Sequence, residues 1–147
     1  MRNESVRPKV VLDTKPLIRL FAKEEGWEAV QTILSKVEDE EIEAAISVVT
    51  LTEIYYKYLQ EKRPDLAKTR TEELRYAMYL KKLEIDEEVA VKAGEFKGKY
   101  NVSIADAFIA AAAYFEGSII ISDDADFKRI PEIEASTEKE FISHLPR

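Results

Sequence analysis

Carboxylates are the side chains of this 147-residue chain that could do chemistry. They fall where apolar segments end or where helices are predicted to begin, at Asp13, Glu53, Asp106 and the trio Asp123, Asp124 and Asp126. Carboxylates gathered at one point repel one another unless a cation lies between them. Hard oxygen ligands favour Mg²⁺ or Mn²⁺. Such a site suits metal-assisted hydrolysis of a phosphodiester, which needs neither histidine nor cysteine.

The composition excludes most other kinds of site. The chain has no cysteine, which excludes disulfides, thiolate metal sites and cysteine nucleophiles. Its single histidine argues against histidine-based zinc sites and catalytic triads. None of the four glycines forms a phosphate-binding loop. A net charge of −7 with 46% hydrophobic residues indicates a charged globular protein and argues against non-specific coating of nucleic acid. No membrane-spanning run and no signal-peptide core occur, so we expect no membrane partner and a cytoplasmic location.

Strands that alternate with helices must position the acids. Short apolar runs predict buried strands at 9–13, 44–48, 83–85 and 118–122. The intervening periodicity predicts helices after residue 13 and at about 25–38, 50–61, 64–80, 87–99, 103–117 and 137–144. This alternation predicts one α/β domain over residues 1–147, with a core at about 9–143 and a central, mostly parallel sheet covered by helices on both faces. Because parallel strands end at one edge, Asp13 and Asp124 should converge there if their strands are neighbours, with Glu53 and Asp106 at helix starts facing the same edge.

Each acid also has a structural interpretation. Glu53 and Asp106 lie three residues after Thr50 and Ser103, the spacing of a capping box. Glu53 could instead pair with Lys57 one turn later. The aspartates at 123, 124 and 126 could be turn residues. Asp13 is harder to explain this way, because an acid that ends a buried strand is costly without a partner.

Four short segments resemble, in order, the motifs of the PIN-domain family. They are Val10-Val-Leu-Asp-Thr14, Thr52-Glu-Ile54, Ser103-Ile-Ala-Asp-Ala-Phe-Ile-Ala110 and Ser122-Asp-Asp-Ala-Asp-Phe127. The small size resembles the VapC-type toxins of toxin–antitoxin pairs. The resemblance implies a three-layer α/β/α fold and a Mg²⁺- or Mn²⁺-dependent endoribonuclease, with an RNA substrate and a cognate antitoxin.

The resemblance also implies roles for particular residues. By motif, the catalytic and metal-binding acids would be Asp13, Glu53, Asp106 and Asp124, with Asp126 as a further metal ligand or a cap. Thr14, Ser103 and Ser122 take supporting positions, where Thr14 and Ser122 would orient a carboxylate or a water at the metal. Lys15 departs from the family, in which that position is usually small or polar.

An acidic chain needs local basic residues to hold RNA. The candidates near the predicted site are Lys15, Arg19, Lys57 and Arg129, and each could equally be a solvated surface charge. Aromatic side chains around Tyr55, Tyr56, Tyr76 and Tyr79 predict either a core between helices or an interface for a homodimer and an antitoxin.

Three other functions compete with a VapC-type nuclease. A PIN-like module could bind RNA or protein without cleaving, and a PIN nuclease could process RNA outside any toxin–antitoxin pair. A phosphatase of the haloacid-dehalogenase type also begins with a strand and an aspartate. That family places a second acid two residues after the first, where this chain has Lys15.

Overall fold

A five-stranded parallel sheet forms the centre of the computed structural model, which describes residues 6–146. The strands are β1 (Lys9–Leu12), β2 (Glu43–Ser47), β3 (Leu80–Leu83), β4 (Ile119–Ile121) and β5 (Ala135–Ser136). They pair in the order β3-β2-β1-β4-β5, and every pairing in the described residues is parallel. The predicted sheet is confirmed. The ends of the predicted domain, residues 1–5 and 147, lie outside the described residues.

Helices connect the strands and cover the sheet. They are α1 (Thr14–Ala22), α2 (Trp27–Glu38), α3 (Val48–Gln60), α4 (Pro64–Arg75), α5 (Glu87–Tyr100), α6 (Ile104–Glu116) and α7 (Glu138–Ser143), with a 3₁₀ helix η1 at Ala125–Arg129. No helix within residues 6–146 has both the length and the apolar character to cross a membrane.

Alternate residues of each strand face opposite helical layers. Val10 and Leu12 of β1 pack in a core with α1 to α4 and α7, whereas Val11 packs with α5 and α6. Ile121 and Ile120 of β4 divide in the same way. A strand that is buried on both faces has no polar side to show, so it appears in the sequence as an unbroken apolar run. This arrangement confirms the three-layer α/β/α architecture.

The start of α3 differs from the prediction. Ser47, the last residue of β2, is also the N-cap of α3, and its Oγ accepts a hydrogen bond from the backbone N–H of Val49 at 3.2 Å. The strand therefore leads straight into the helix, and Thr50 lies inside the first turn. The predicted capping box of Thr50 and Glu53 is wrong, and Glu53 falls in the second turn of α3.

Two other boundaries also move. Helix α4 ends at Arg75 rather than near residue 80, so β3 spans Leu80–Leu83 instead of 83–85. The two-residue strand β5 was not predicted, because so short a strand carries no periodic pattern.

Candidate active site

Three carboxylates meet at the carboxyl ends of β1 and β4. Asp13, Asp106 and Asp124 each offer one oxygen, and these oxygens all lie within 4.8 Å of one another. We call this group the carboxylate triad. Because β1 and β4 are neighbours, Asp13 at the end of β1 lies beside the loop that follows β4. The first turn of α6 brings Asp106 to the same point. The structure thus brings together three of the five acids predicted to hold a metal.

Asp13 is held by two hydrogen bonds. Its Oδ1 accepts from the backbone N–H of Thr14 at 2.8 Å, which caps α1. Its Oδ2 accepts from the hydroxyl of Ser122 at 2.6 Å. The side chain is 3% exposed, and the Asp13 backbone N–H still donates to the carbonyl of Ile121 at 3.1 Å. The carboxylate is therefore fixed by the junction of β1, β4 and α1.

Asp124 divides its carboxylate between a turn and the triad. Its Oδ1 accepts from the backbone N–H of Asp126 at 2.9 Å and so caps η1. Its backbone N–H donates to Ser122 Oγ at 3.0 Å, and its Oδ2 lies 3.8 Å from Lys15 Nζ. The turn interpretation of Asp124 is thus correct for one oxygen and leaves the other available. Asp126 lies outside the triad, and its predicted role as a metal ligand stays a prediction.

Asp106 makes only half of the predicted capping box. The backbone N–H of Asp106 donates to Ser103 Oγ at 3.1 Å, as a capping box requires. The return bond from the Ser103 backbone N–H goes instead to Asp126 Oδ2 at 3.0 Å. The carboxyl of Asp106, in a residue 6% exposed, is thereby left for the triad.

Glu53 is tied to the site through Thr14. The Thr14 hydroxyl donates to Glu53 Oε1 at 2.6 Å, and its oxygen lies 3.4 Å from Thr50 Oγ1. No ion pair joins Glu53 to Lys57 in the part of the chain that the structure describes, so that alternative is wrong. Sequence reasoning missed the place of the buried Thr50, because its spacing to Glu53 suggested a cap.

Burial and mutual repulsion make the metal-free triad unfavourable when fully ionised. Burial raises the pKa of Asp13 to about 6; the bonds from Ser122 and Thr14 oppose this rise, and nearby negative charge adds to it. Burial also raises the pKa of Asp106 to about 8, reinforced by the neighbouring carboxyl groups of Asp126, Asp13 and Asp124. A divalent cation removes this repulsion. The all-oxygen donor set fits Mg²⁺ or Mn²⁺ rather than a soft metal.

The four predicted basic contacts differ in how free they are. Lys15 lies at the rim of the triad with its side chain 53% exposed, and Lys57 is partly exposed on α3. Arg129 is exposed but contacts Asp126 Oδ1 at 3.3 Å and donates to the carbonyl of Asn101 at 3.1 Å.

Arg19 is already committed to two carboxylates. Its guanidinium contacts Glu138 of α7 and also Asp123 Oδ2 at 3.2 Å. Contact between Arg19 and phosphate would require breaking these ion pairs, so we assign Arg19 to the tie between α1, α7 and the loop after β4. Nothing in the local sequence indicates this pairing, because Arg19 and Glu138 are 119 residues apart.

The predicted interface tyrosines are not core residues. Tyr55, Tyr56, Tyr76 and Tyr79 are 40–69% exposed. They lie on α3 and in the segment from the end of α4 to β3. These side chains are too exposed to be fully buried between helices, and their use as an interface stays a prediction.

Comparisons with known proteins agree with the fold and the motifs. The PIN domain family model matches residues 10–133. Over 100 residues the chain is 34% identical to ribonuclease VapC4 of Mycobacterium tuberculosis (strain ATCC 25618 / H37Rv), covering 65% of this chain and 77% of that protein. A chain of the crystal structure of VapBC2 from Rickettsia felis, bound to a DNA fragment from their promoter, superposes with a TM-score of 0.71 at 18% identity, covering 88% of this chain and 98% of that one. A chain of a toxin–antitoxin complex from Klebsiella pneumoniae superposes with a TM-score of 0.63 at 22% identity, covering 88% of this chain and 97% of that one. With four ordered motifs, the parallel sheet and a family match over most of its length, this chain belongs to the PIN-domain family.

Proposed function

We propose that this chain is a Mg²⁺- or Mn²⁺-dependent endoribonuclease that hydrolyses phosphodiester bonds of RNA, and that it is the toxin of a VapBC-type pair. The carboxylate triad, with its oxygens within 4.8 Å, is the observation that carries the proposal. The relative named ribonuclease VapC4 supports the substrate class. Asp13, Asp106 and Asp124 would hold the metal, with Glu53 contributing a fourth carboxylate through Thr14.

The residues of the chain prepare the site in three ways. A divalent cation bound there supplies activation of water and neutralisation of phosphate charge. Ser122 and the backbone of Thr14 fix the orientation of Asp13, so the carboxylate need not reorganise when the cation binds. The Thr14 hydroxyl holds Glu53 towards the same edge of the sheet. Lys15 presents an exposed ammonium group beside Asp124, where it can contact a phosphate oxygen.

The net charge of −7 limits how RNA can bind. Lys15 contacts a triad carboxylate, with Lys57 and Arg129 as further candidates for RNA contacts. So few contacts predict weak affinity for bulk RNA, with selectivity from the shape of the RNA or from a few unpaired bases. Strong, salt-sensitive binding of any RNA in a shift assay would contradict this part of the proposal.

The exposed tyrosines give the chain a surface for protein partners. Tyr55, Tyr56, Tyr76 and Tyr79 would form a homodimer interface, because tyrosine offers a large apolar area with a polar tip. The similarity to the VapBC2 structure and to the Klebsiella pneumoniae complex supports a cognate antitoxin as a second partner.

The test is cleavage of defined RNAs in Mg²⁺ or Mn²⁺, with and without chelator. We expect Asp13→Asn and Asp106→Asn to lower the cleavage rate by more than about 100-fold, because each removes a charged ligand. Asp86→Asn is the matched control, since Asp86 caps the remote helix α5 and asparagine keeps that cap.

The outcomes separate the competing functions. Cleavage that survives both triad substitutions would refute the proposed site. A folded chain that binds RNA but cuts none with either metal would favour the non-cleaving module. A metal-dependent nuclease without an antitoxin gene beside it would favour RNA processing.

A further inference from the structure

A series of hydrogen bonds links the three residues of the triad. The Ser122 hydroxyl donates to Asp13 Oδ2 (2.6 Å) and accepts from the Asp124 N–H (3.0 Å). Asp124 Oδ1 accepts from the Asp126 N–H (2.9 Å), and Asp126 Oδ2 accepts from the Ser103 N–H (3.0 Å). Ser103 Oγ in turn accepts from the Asp106 N–H (3.1 Å). The first bond joins the end of β1 to the loop after β4, and the last lies at the start of α6. Asp126 is the member of this series that joins the two halves.

The N-terminus of α6 explains why that link matters. A helix start leaves backbone N–H groups without internal partners. In a capping box the fourth residue turns its side chain back to the N–H of the first. Asp106 holds that fourth position after Ser103, and turning back would take its carboxylate away from Asp13 and Asp124. Asp126 accepts the bond from Ser103 in its place.

Helix α7 shows the ordinary arrangement in the same protein. There the Thr137 side chain accepts from the Glu140 N–H at 3.1 Å, and Glu140 returns to accept from the Thr137 N–H at 3.0 Å. Glu140 is exposed at the surface. The comparison indicates that the start of α6 departs from the local pattern in order to release one carboxylate.

Both oxygens of Asp126 already have protein partners. Oδ2 accepts from Ser103, and Oδ1 lies 3.3 Å from Arg129 Nη1. Arg129 also donates to the carbonyl of Asn101 at 3.1 Å, so it holds Asp126 against the connection between α5 and α6. The Asp126 carboxyl also interacts with the Asp106 carboxyl and helps to raise the pKa of Asp106. Asp126 nevertheless is not among the three residues whose oxygens converge within 4.8 Å, so it supports Asp106 from the side of the triad.

We propose that Asp126 is a positioning residue, which caps α6 from outside the helix so that Asp106 faces Asp13 and Asp124. This inference rests on the proposed function, because it gives Asp126 a purpose only if the triad holds a metal. The family motif makes Asp126 a candidate metal ligand. The contacts of Asp126 instead make it the residue that positions the ligand Asp106.

The experiment measures Mn²⁺ binding to the full chain by titration calorimetry, without RNA. We expect Asp126→Ala to weaken Mn²⁺ binding by about tenfold, within the range for residues that orient a metal ligand. Asp126→Asn should stay within about threefold of wild type, because its amide oxygen still accepts from the Ser103 N–H. Asp124→Asn gives the reference loss for a ligand. Asp86→Ala removes a helix cap elsewhere, at α5, and should leave Mn²⁺ affinity unchanged.

A second measurement needs no metal. Amide hydrogen exchange at Ser103 should be slow in the wild type and in Asp126→Asn, and fast in Asp126→Ala. If Asp126→Asn loses as much Mn²⁺ affinity as Asp124→Asn, Asp126 is a ligand and the proposal is overturned. Wild-type affinity in Asp126→Ala would also overturn it. If wild type binds no Mn²⁺ at all, the proposed function fails and this assignment fails with it.

Discussion

The buried carboxylate of Asp13 should make the metal-free protein less stable as the pH rises. Burial raises its pKa from 3.8 to about 6 in the folded chain. Between these values the folded state binds more protons than the unfolded state, so the free energy of unfolding falls with increasing pH. At 1.36 kcal/mol per pH unit, the loss attributable to this group is about 3 kcal/mol and is complete above roughly pH 7.

The Asp13→Asn variant isolates this loss. Urea unfolding of both proteins in EDTA, at fixed protein concentration from pH 4 to 7.5, gives the difference in unfolding free energy at each pH. We expect the variant to gain about 2.5 kcal/mol relative to wild type across this range, since it has no carboxyl at position 13 to ionise and part of the loss falls below pH 4. The bonds with Ser122 and Thr14 that the substitution alters shift the whole difference curve, and acids far from position 13 cancel. The Asp13 charge helps to raise the pKa of Asp106, so that pKa should fall in the variant and add to the gain.

Adding Mn²⁺ should offset most of the loss of stability in the wild type. At a metal concentration 100 times the dissociation constant, binding stabilises the folded wild type by about 2.7 kcal/mol. The variant lacks a ligand and should gain much less. A difference curve that stays flat with pH, or that falls, would refute the argument that Asp13 is an ionisable group held in a buried, repulsive site.

Four further predictions follow from individual contacts. Ser122→Ala should lower the unfolding free energy by about 1–3 kcal/mol in urea, because one buried and one partly buried hydrogen bond lose their shared partner; an unchanged midpoint would contradict this. Arg19→Met should destabilise the chain by about 3 kcal/mol, since it leaves Glu138, 5% exposed, without its partner, and adding Glu138→Gln should recover most of the loss. Tyr76→Asp should convert a dimer into a monomer in sedimentation, with unchanged circular dichroism. Lys15→Met removes an ammonium group 3.8 Å from a triad carboxylate, so it should tighten Mn²⁺ binding several-fold and weaken RNA binding. Loss of both affinities would contradict the position of Lys15 beside Asp124.

Patterns local in the sequence were enough to predict the sheet and half of the site. The apolar runs at Val10–Leu12 and Ile119–Ile121 identify strands buried on both faces, and parallel strands present their carboxyl ends at one edge. That geometry alone brings Asp13 and Asp124 together once β1 and β4 are neighbours. The order of the strands in the sheet could not be predicted, because no local pattern encodes which strands pair.

Choices between equivalent local signals were not predictable. Ser47 and Thr50 both precede helical sequence, and the length of β2 decides that Ser47 is the cap of α3. The same holds at the start of α6, where one acceptor of the Ser103 N–H replaces another. Spacing predicts a capping box between Ser103 and Asp106, yet Asp126, 23 residues from Ser103, takes half of it. Only the folded chain shows which acceptor is nearer.

The acid excess of the chain need not oppose binding of RNA at the triad. Charges beyond about 8 Å are largely screened at physiological ionic strength. Exposed acids elsewhere, such as Asp39 to Glu41, lie in a turn that follows α2 and precedes β2, at the other end of that strand from its carboxyl edge. At the site itself, a divalent cation and the Lys15 ammonium would offset three of the four negative charges of the triad and Glu53. A phosphate would therefore meet little net charge and oriented positive groups there, while the rest of the protein repels RNA that is not held at the site. The same acids that make the metal-free site unstable would thus confine RNA binding to the metal-loaded protein.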